Sequence, residues 1–306
     1  MSAYVISLPR CQDRRRHMAR QLEGLGVAWQ WVDGTDARQA GVTLLEPRYV
    51  TPELLASASG SPTPERGVLR PGNVACALGH KAAYERLLAS GEPCGLVLED
   101  DVDLPVDLGP LAEEVAAHMD PTQAEVTLLN FHRPGGLEVR RRGASLLRSS
   151  RLLATPTDLE HLSSGAAYLI TAEAARRLSA YAFPMKAFSD EWGSFVRAAV
   201  LDQVRIVTPM PVRQNPLLRT TIDYYPPGGF QWWLRELAAF LGLEHLPGFR
   251  TLAQRRRLKD METWGALGRV EIVNEASPLL EEPPPSAGSP QATGTLRPRR
   301  AQSVCR

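Results

Sequence analysis

The 306-residue sequence lacks any run of eighteen apolar residues and any charged-then-apolar leader, so no segment of its own is expected to cross a membrane. Cysteine is scarce. Cys11, Cys76, Cys94 and Cys305 stand far apart with no paired spacing, which argues against a disulfide framework or a zinc site and fits a reducing, cytoplasmic setting. Lysine is nearly absent: among 35 basic residues only Lys81, Lys186 and Lys259 are lysines. Net charge is also missing, at +1, so there is no polyanion signal and a nucleic-acid partner is not expected. What remains is an ordinary globular composition, 43% hydrophobic and 23% charged, long enough for one large domain with an appendage.

The most informative stretch is Gly95-Leu-Val-Leu-Glu-Asp-Asp-Val-Asp103, an apolar run that ends in a cluster of carboxylates. It reads as a buried central strand, with Glu99 and Asp101 expected on one side and Asp100 and Asp103 placed differently. Carboxylates this close repel one another unless a cation or hydrogen bonds compensate them. Hard oxygen donors at the carboxyl end of a buried strand suit Mg2+ or Mn2+, and that end is where ligands bind in open α/β sheets. An acidic loop after an ordinary strand is the plainer alternative.

Around it the chain alternates between strand and helix, which favours an α/β sheet. Residues 3–8 form a first strand stopped by Pro9, and a basic segment then leads into a helix with Met18, Leu22 and Leu25 on one face. Arg14, Arg15 and Arg16 fall at that helix start, placed either to bind phosphate or simply to face solvent. Residues 29–32 suit a second strand, with Asp33-Gly-Thr-Asp36 in turn chemistry, and residues 40–71 read as a long surface loop. A helix is expected from Pro71, with Asn73 as N-cap and Val74, Ala77, Leu78, Tyr84 and Leu88 on its apolar face. His80 lies off the centre of that stripe, as a structural residue or a ligand. Further elements are expected as a helix over 108–118, a strand over 125–130, a small-residue approach to a strand ending at Thr171, and a strand over 204–208. Asp190 precedes a helix over 191–199. It serves either as an N-cap or, if it approaches the acidic strand, as a carboxylate general base.

Beyond Gln214 the character changes. Residues 230–241 form an amphipathic, Trp-rich helix, followed by a basic cluster at 250–259; this region either packs back on the domain or meets an anionic membrane surface. From residue 281 the Pro-rich tail is expected to be disordered. The organisation is thus a main domain over 1–228, a helical, partly basic extension over 229–280, and a tail over 281–306.

Taken in order, Val5-Ile-Ser-Leu8 with Asp13-Arg-Arg15, Val32-Asp-Gly-Thr-Asp36, Gly72-Asn-Val-Ala-Cys-Ala-Leu-Gly-His80, Leu96-Val-Leu-Glu-Asp-Asp-Val102, Gly165-Ala-Ala-Tyr-Leu-Ile-Thr171, Asp190 and Gln214 form a specific set. This set resembles glycosyltransferase family 25, over about residues 3 to 215. The family usually shows Ser-His where this chain has Gly79-His80. The resemblance implies a GT-A-like (Rossmann-like) nucleotide-sugar-binding sandwich. It also implies an inverting transfer of galactose or glucose from a UDP-sugar to a lipopolysaccharide-type glycan acceptor. By the same carry-over Asp101 and Glu99 hold Mn2+ or Mg2+, and Arg14, Arg15, Asp36, Glu99 and Asp100 contact the donor. Asp190 is the base and His80 positions substrate. A nucleotidyltransferase on the same fold, or a non-catalytic nucleotide-sugar-binding scaffold, stands as the alternative.

Overall fold

The computed structural model describes residues 1–59, 69–215, 218 and 270–273. Its centre is a mixed eight-stranded sheet. The strands are β1 (Ser2–Ser7), β2 (Ala28–Asp33), β3 (Cys94–Glu99), β5 (Glu125–Leu128), β7 (Ser145–Leu147), β8 (Arg151–Ala154), β9 (Ala167–Thr171) and β10 (Gln203–Thr208). They run in the spatial order β2-β1-β3-β9-β5-β10-β8-β7. β1, β2 and β3 are mutually parallel, β9 is antiparallel to both β3 and β5, and β10 runs parallel to β5. Two small ladders flank this sheet. β4 (Val102–Asp103) pairs with β11 (Arg213–Gln214), and β6 (Leu137–Arg140) pairs with β12 (Val270–Val273).

Strand alternation explains the two cores. Tyr4, Val97, Tyr168 and Ile170 point to one face, where they pack against α4 (Pro71–Ser90), α6 (Ala172–Tyr181) and α7 (Trp192–Arg197). Ala3, Val5, Leu96, Leu98 and Leu169 point to the other, against α1 (Gln12–Glu23) and α5 (Leu108–Ala117). The result is a three-layer α/β arrangement with strands buried on both faces. Among the described residues no helix is long and apolar enough to cross a membrane.

Several local expectations need correction. The stretch read as a loop over 40–71 contains a 3-10 turn at Gly41–Leu45 after α2 (Ala37–Ala40), and also α3 (Pro52–Ser59). Leu44, Val50, Leu54 and Leu69 are buried there against Val74, Ala77 and Met185, because α4 has a second apolar side for them to cover. Asn73 is not the N-cap of α4. Arg70 holds that position, and the Asn73 side chain reaches back to accept from the Arg70 N–H at 2.9 Å. Leu88 is 37% exposed and Leu87 is buried in its place, while His80 is only 3% exposed. Asp190 does not cap α7, whose N-cap is Glu191. The helix expected at 230–241, the basic cluster at 250–259 and the tail from 281 lie outside the described residues.

Candidate active site

The parallel register brings strand ends together: Ser7 faces Asp33 across β1 and β2, and Ile6 faces Glu99 across β1 and β3. At this shared carboxyl edge β3 ends at Glu99, and the chain turns through Asp100 and Asp101. The turn breaks the alternation expected of an extended strand, so the three carboxylates divide differently. Asp100 and Asp101 share Arg14, and Glu99 turns to His80 and Cys76.

Arg14 comes from the first turn of α1. Its Nη1 lies 2.9 Å from Asp100 Oδ1, and its Nη2 pairs with Asp101 Oδ2. Both carboxylates are buried, and a bidentate guanidinium supplies the compensating charge that such burial demands. Ser7 Oγ donates to Asp100 Oδ2 at 2.6 Å. Burial still raises the Asp100 pKa against the opposing pull of Arg14 and Ser7. Arg15 is held differently: it donates to the Ser7 carbonyl at 3.1 Å, pairs with Asp33 and lies over the Trp31 ring at 4.9 Å. Asp36 pairs with Arg10, which lowers its pKa, and caps α2 by accepting from the Arg38 N–H at 3.0 Å. Asn215 closes the edge, donating from its backbone to the Asp101 carbonyl at 2.7 Å and from Nδ2 to Asp103 at 2.8 Å.

Across Glu99 lies a second group. His80 Nδ1 is 2.8 Å from the Tyr168 hydroxyl, which lies 3.0 Å from that of Tyr84, and His80 Nε2 is 3.3 Å from Glu99 Oε1. Cys76, one turn earlier on α4, has Sγ 3.8 Å from the same carboxylate oxygen. Burial would raise the Glu99 pKa, but His80 and Arg14 together hold it below the usual range. Gly165 admits the imidazole. A Cβ there would stand 2.9 Å from both Cε1 and Nε2 of His80. The neighbouring turn is fixed by Ser164, whose hydroxyl donates to Asn130 Oδ1 at 2.6 Å and whose carbonyl accepts from Trp192 Nε1 at 3.0 Å.

Asp190 belongs to this group in space. Burial raises its pKa first and the Glu99 charge raises it further, while His80 and a hydrogen bond from the Ser164 backbone pull the other way. Its charge also reaches Cys76, whose thiol burial pushes well up. Behind His80 the cavity lined by Ala77, Tyr84, Tyr181 and Phe195 measures about 20 Å3, room for one water.

The structure therefore gathers Arg14, Asp100 and Asp101 on one side of Glu99, and His80 and Asp190 on the other. Arg15 and Asp36 stand at the β1–β2 end of the same edge. Sequence reading missed Ser7, Cys76, Tyr84, Tyr168 and Asn130. Cys76 was findable as the fourth residue before His80 on one helix face; searching for cysteine pairs passes over it. No curated protein matches the chain. A family model described as glycosyltransferase family 25 (LPS biosynthesis protein) matches residues 1–192, more than half the chain, and the protein belongs to this family of glycosyltransferases.

Proposed function

We propose that the protein is a metal-dependent, inverting hexosyltransferase with a GT-A-like fold that moves galactose or glucose from a UDP-sugar onto a lipopolysaccharide-type acceptor. The observation that carries this reading is the convergence of charge-binding and proton-accepting groups on one sheet edge. Arg14, Asp100 and Asp101 stand beside Glu99, and the pKa-raised Asp190 stands across it. The ligand chemistry fits a hard divalent cation: three carboxylates lie within three residues, and the single guanidinium of Arg14 offsets only one of the two charges it touches, which leaves negative charge for a cation. In this reading Asp101 and Glu99 hold Mn2+ or Mg2+, which when bound would neutralise charge on the departing diphosphate.

The remaining steps belong to the chain's own residues. Arg14 and Arg15 bind the diphosphate, while Asp36 and Asp100 contact the nucleoside side of the donor. Asp190 takes the proton of an acceptor hydroxyl as its oxygen bonds to the sugar's anomeric carbon and the bond to UDP breaks. His80, fixed by Tyr168, orients Glu99 and the substrate. Residues 230–260 bring the enzyme to anionic lipid, where its acceptor lies.

A panel of UDP-hexoses, assayed for UDP release with and without Mn2+, tests the assignment. Release from UDP-galactose or UDP-glucose that depends on metal is expected, and an absence of turnover with every UDP-hexose would count against it. Asp101→Asn is expected to reduce kcat by about a hundredfold or more while circular dichroism stays unchanged. Turnover at the wild-type rate in that variant would remove Asp101 from the site.

A further inference from the structure

The transfer reaction leaves Cys76 without a task, yet the thiol stands among residues that have one. Cys76 and His80 are four apart on α4, so both side chains leave the same helix face one turn apart. Glu99 meets them from the end of β3. Cys76 Sγ lies 3.8 Å and His80 Nε2 lies 3.3 Å from Glu99 Oε1, and the three donor atoms are all within 4.8 Å of one another. Around tetrahedral zinc, bonds of about 2.3 Å to sulfur and about 2.0–2.1 Å to nitrogen or oxygen set ligand separations of roughly 3.3–3.7 Å. Two of the three separations are therefore already near those of a coordination sphere.

The surroundings favour a cation on independent grounds. Metal-bound histidines use their second nitrogen for a hydrogen bond that fixes ring orientation. His80 Nδ1 already has that bond, to Tyr168, which is held in turn by Tyr84. Nε2 is thereby aimed at Glu99 and Cys76. Asp190 lies within electrostatic reach of Glu99, His80 and Cys76. The Glu99 side chain is 26% exposed, which gives an ion a path in.

We infer that Cys76, His80 and Glu99 form a binding site for a borderline-soft divalent cation of the zinc type, separate from the hard-oxygen site proposed at Asp101. Sulfur and imidazole ligands select zinc or cobalt over magnesium and manganese. Binding releases to solvent the Cys76 thiol proton and the proton held between His80 Nε2 and Glu99. It also replaces the His80–Glu99 contact by a bond from each residue to the metal. Glu99 is the ligand both sites would use, so zinc and manganese compete for it.

Cobalt is the probe, because its spectrum reports both sulfur ligation and tetrahedral geometry. Titrating the full-length chain with Co2+ should give a thiolate-to-cobalt absorption in the near ultraviolet together with visible tetrahedral bands, both erased by added Zn2+. Cys76→Ser should abolish the ultraviolet band, and His80→Ala should weaken cobalt binding by about tenfold or more. A wild-type protein that shows no such bands, or bands that persist in Cys76→Ser, overturns the site. X-ray absorption at the zinc edge of the wild-type protein needs no variant to fold, and a shell with only nitrogen and oxygen ligands overturns it too. The cobalt spectrum does not depend on the transferase reading, so failure of UDP-hexose turnover leaves this result standing, and the reverse holds.

Discussion

Asp190 carries its carboxylate where burial and a like charge both penalise ionisation. A carboxyl whose folded pKa lies above its unfolded value stabilises the fold only below the unfolded pKa, and that contribution is lost as pH rises through the folded one. At neutral pH Asp190 is therefore a cost to stability that the proposed base function would justify. Asp190→Asn keeps an oxygen to accept from the Ser164 backbone and removes the charge. The variant should melt at a higher temperature than the wild type at pH 7, with each kcal/mol recovered showing as about 2–4 °C in a domain of this size. Its kcat should fall by about a hundredfold or more. A lower melting temperature, measured by calorimetry at pH 7, would mean that the charge is compensated by something other than the groups named here. Sequence alone left Asp190 between cap and base. Burial and the nearness of Glu99 arise from contacts between α7's approach and β3, about ninety residues apart in the chain, and no local pattern encodes them.

Where α4 crosses β1, the helix is held close by an absence of side chain. A Cβ on Gly79 would stand 2.8 Å from Cγ2 of Ile6, a branched methyl group that cannot swing aside. This gives a packing reason for the glycine at this position. Gly79→Ser should push α4 off the strand and cost about 1–3 kcal/mol, read as a lower urea midpoint. Ile6→Ala in the same chain should return part of that loss. Equal losses with and without Ile6→Ala would show that Gly79 serves some other purpose. The strand β1, the helix α4 and the acidic end of β3 were all legible in sequence, because period 2 and period 3.6 are local signals. The chain does leave α4 at Gly91 in the left-handed conformation, with φ of 72°. The expected α4 face holds at Val74, Ala77 and Tyr84 and fails at Leu88 for a physical reason: the helix is covered on two sides, by the sheet and by Leu44, Val50, Leu54 and Leu69, so a single apolar stripe is the wrong template for it. His80 is buried on the sheet side, against Tyr168 and Gly165.

The whole molecule closes through a strand that composition does not announce. Residues Val270–Val273 run parallel to Leu137–Arg140, with Val270 opposite Leu137 and Ile272 opposite Val139, and the Arg141 N–H donates to the Val273 carbonyl at 3.1 Å. Leu137 and Val139 are almost wholly buried, and Val270 packs against the same core. The change in character beyond Gln214 led to an expected extension over 229–280, and β12 lies within that extension. Four residues so far along the chain from their partners leave no mark in local periodicity. The pairing predicts how the protein responds to shortening. A chain ending at residue 228 loses the β6 partner, uncovering apolar surface worth about 1.5–3 kcal/mol for each large side chain newly exposed to water, along with the backbone groups of β6. It should therefore melt several degrees below a chain ending at residue 280, whereas the chain ending at 280 should match the full-length protein. Thermal unfolding of the three proteins side by side decides this: if the 228 and 280 chains melt together, β12 contributes nothing to the stability of the body.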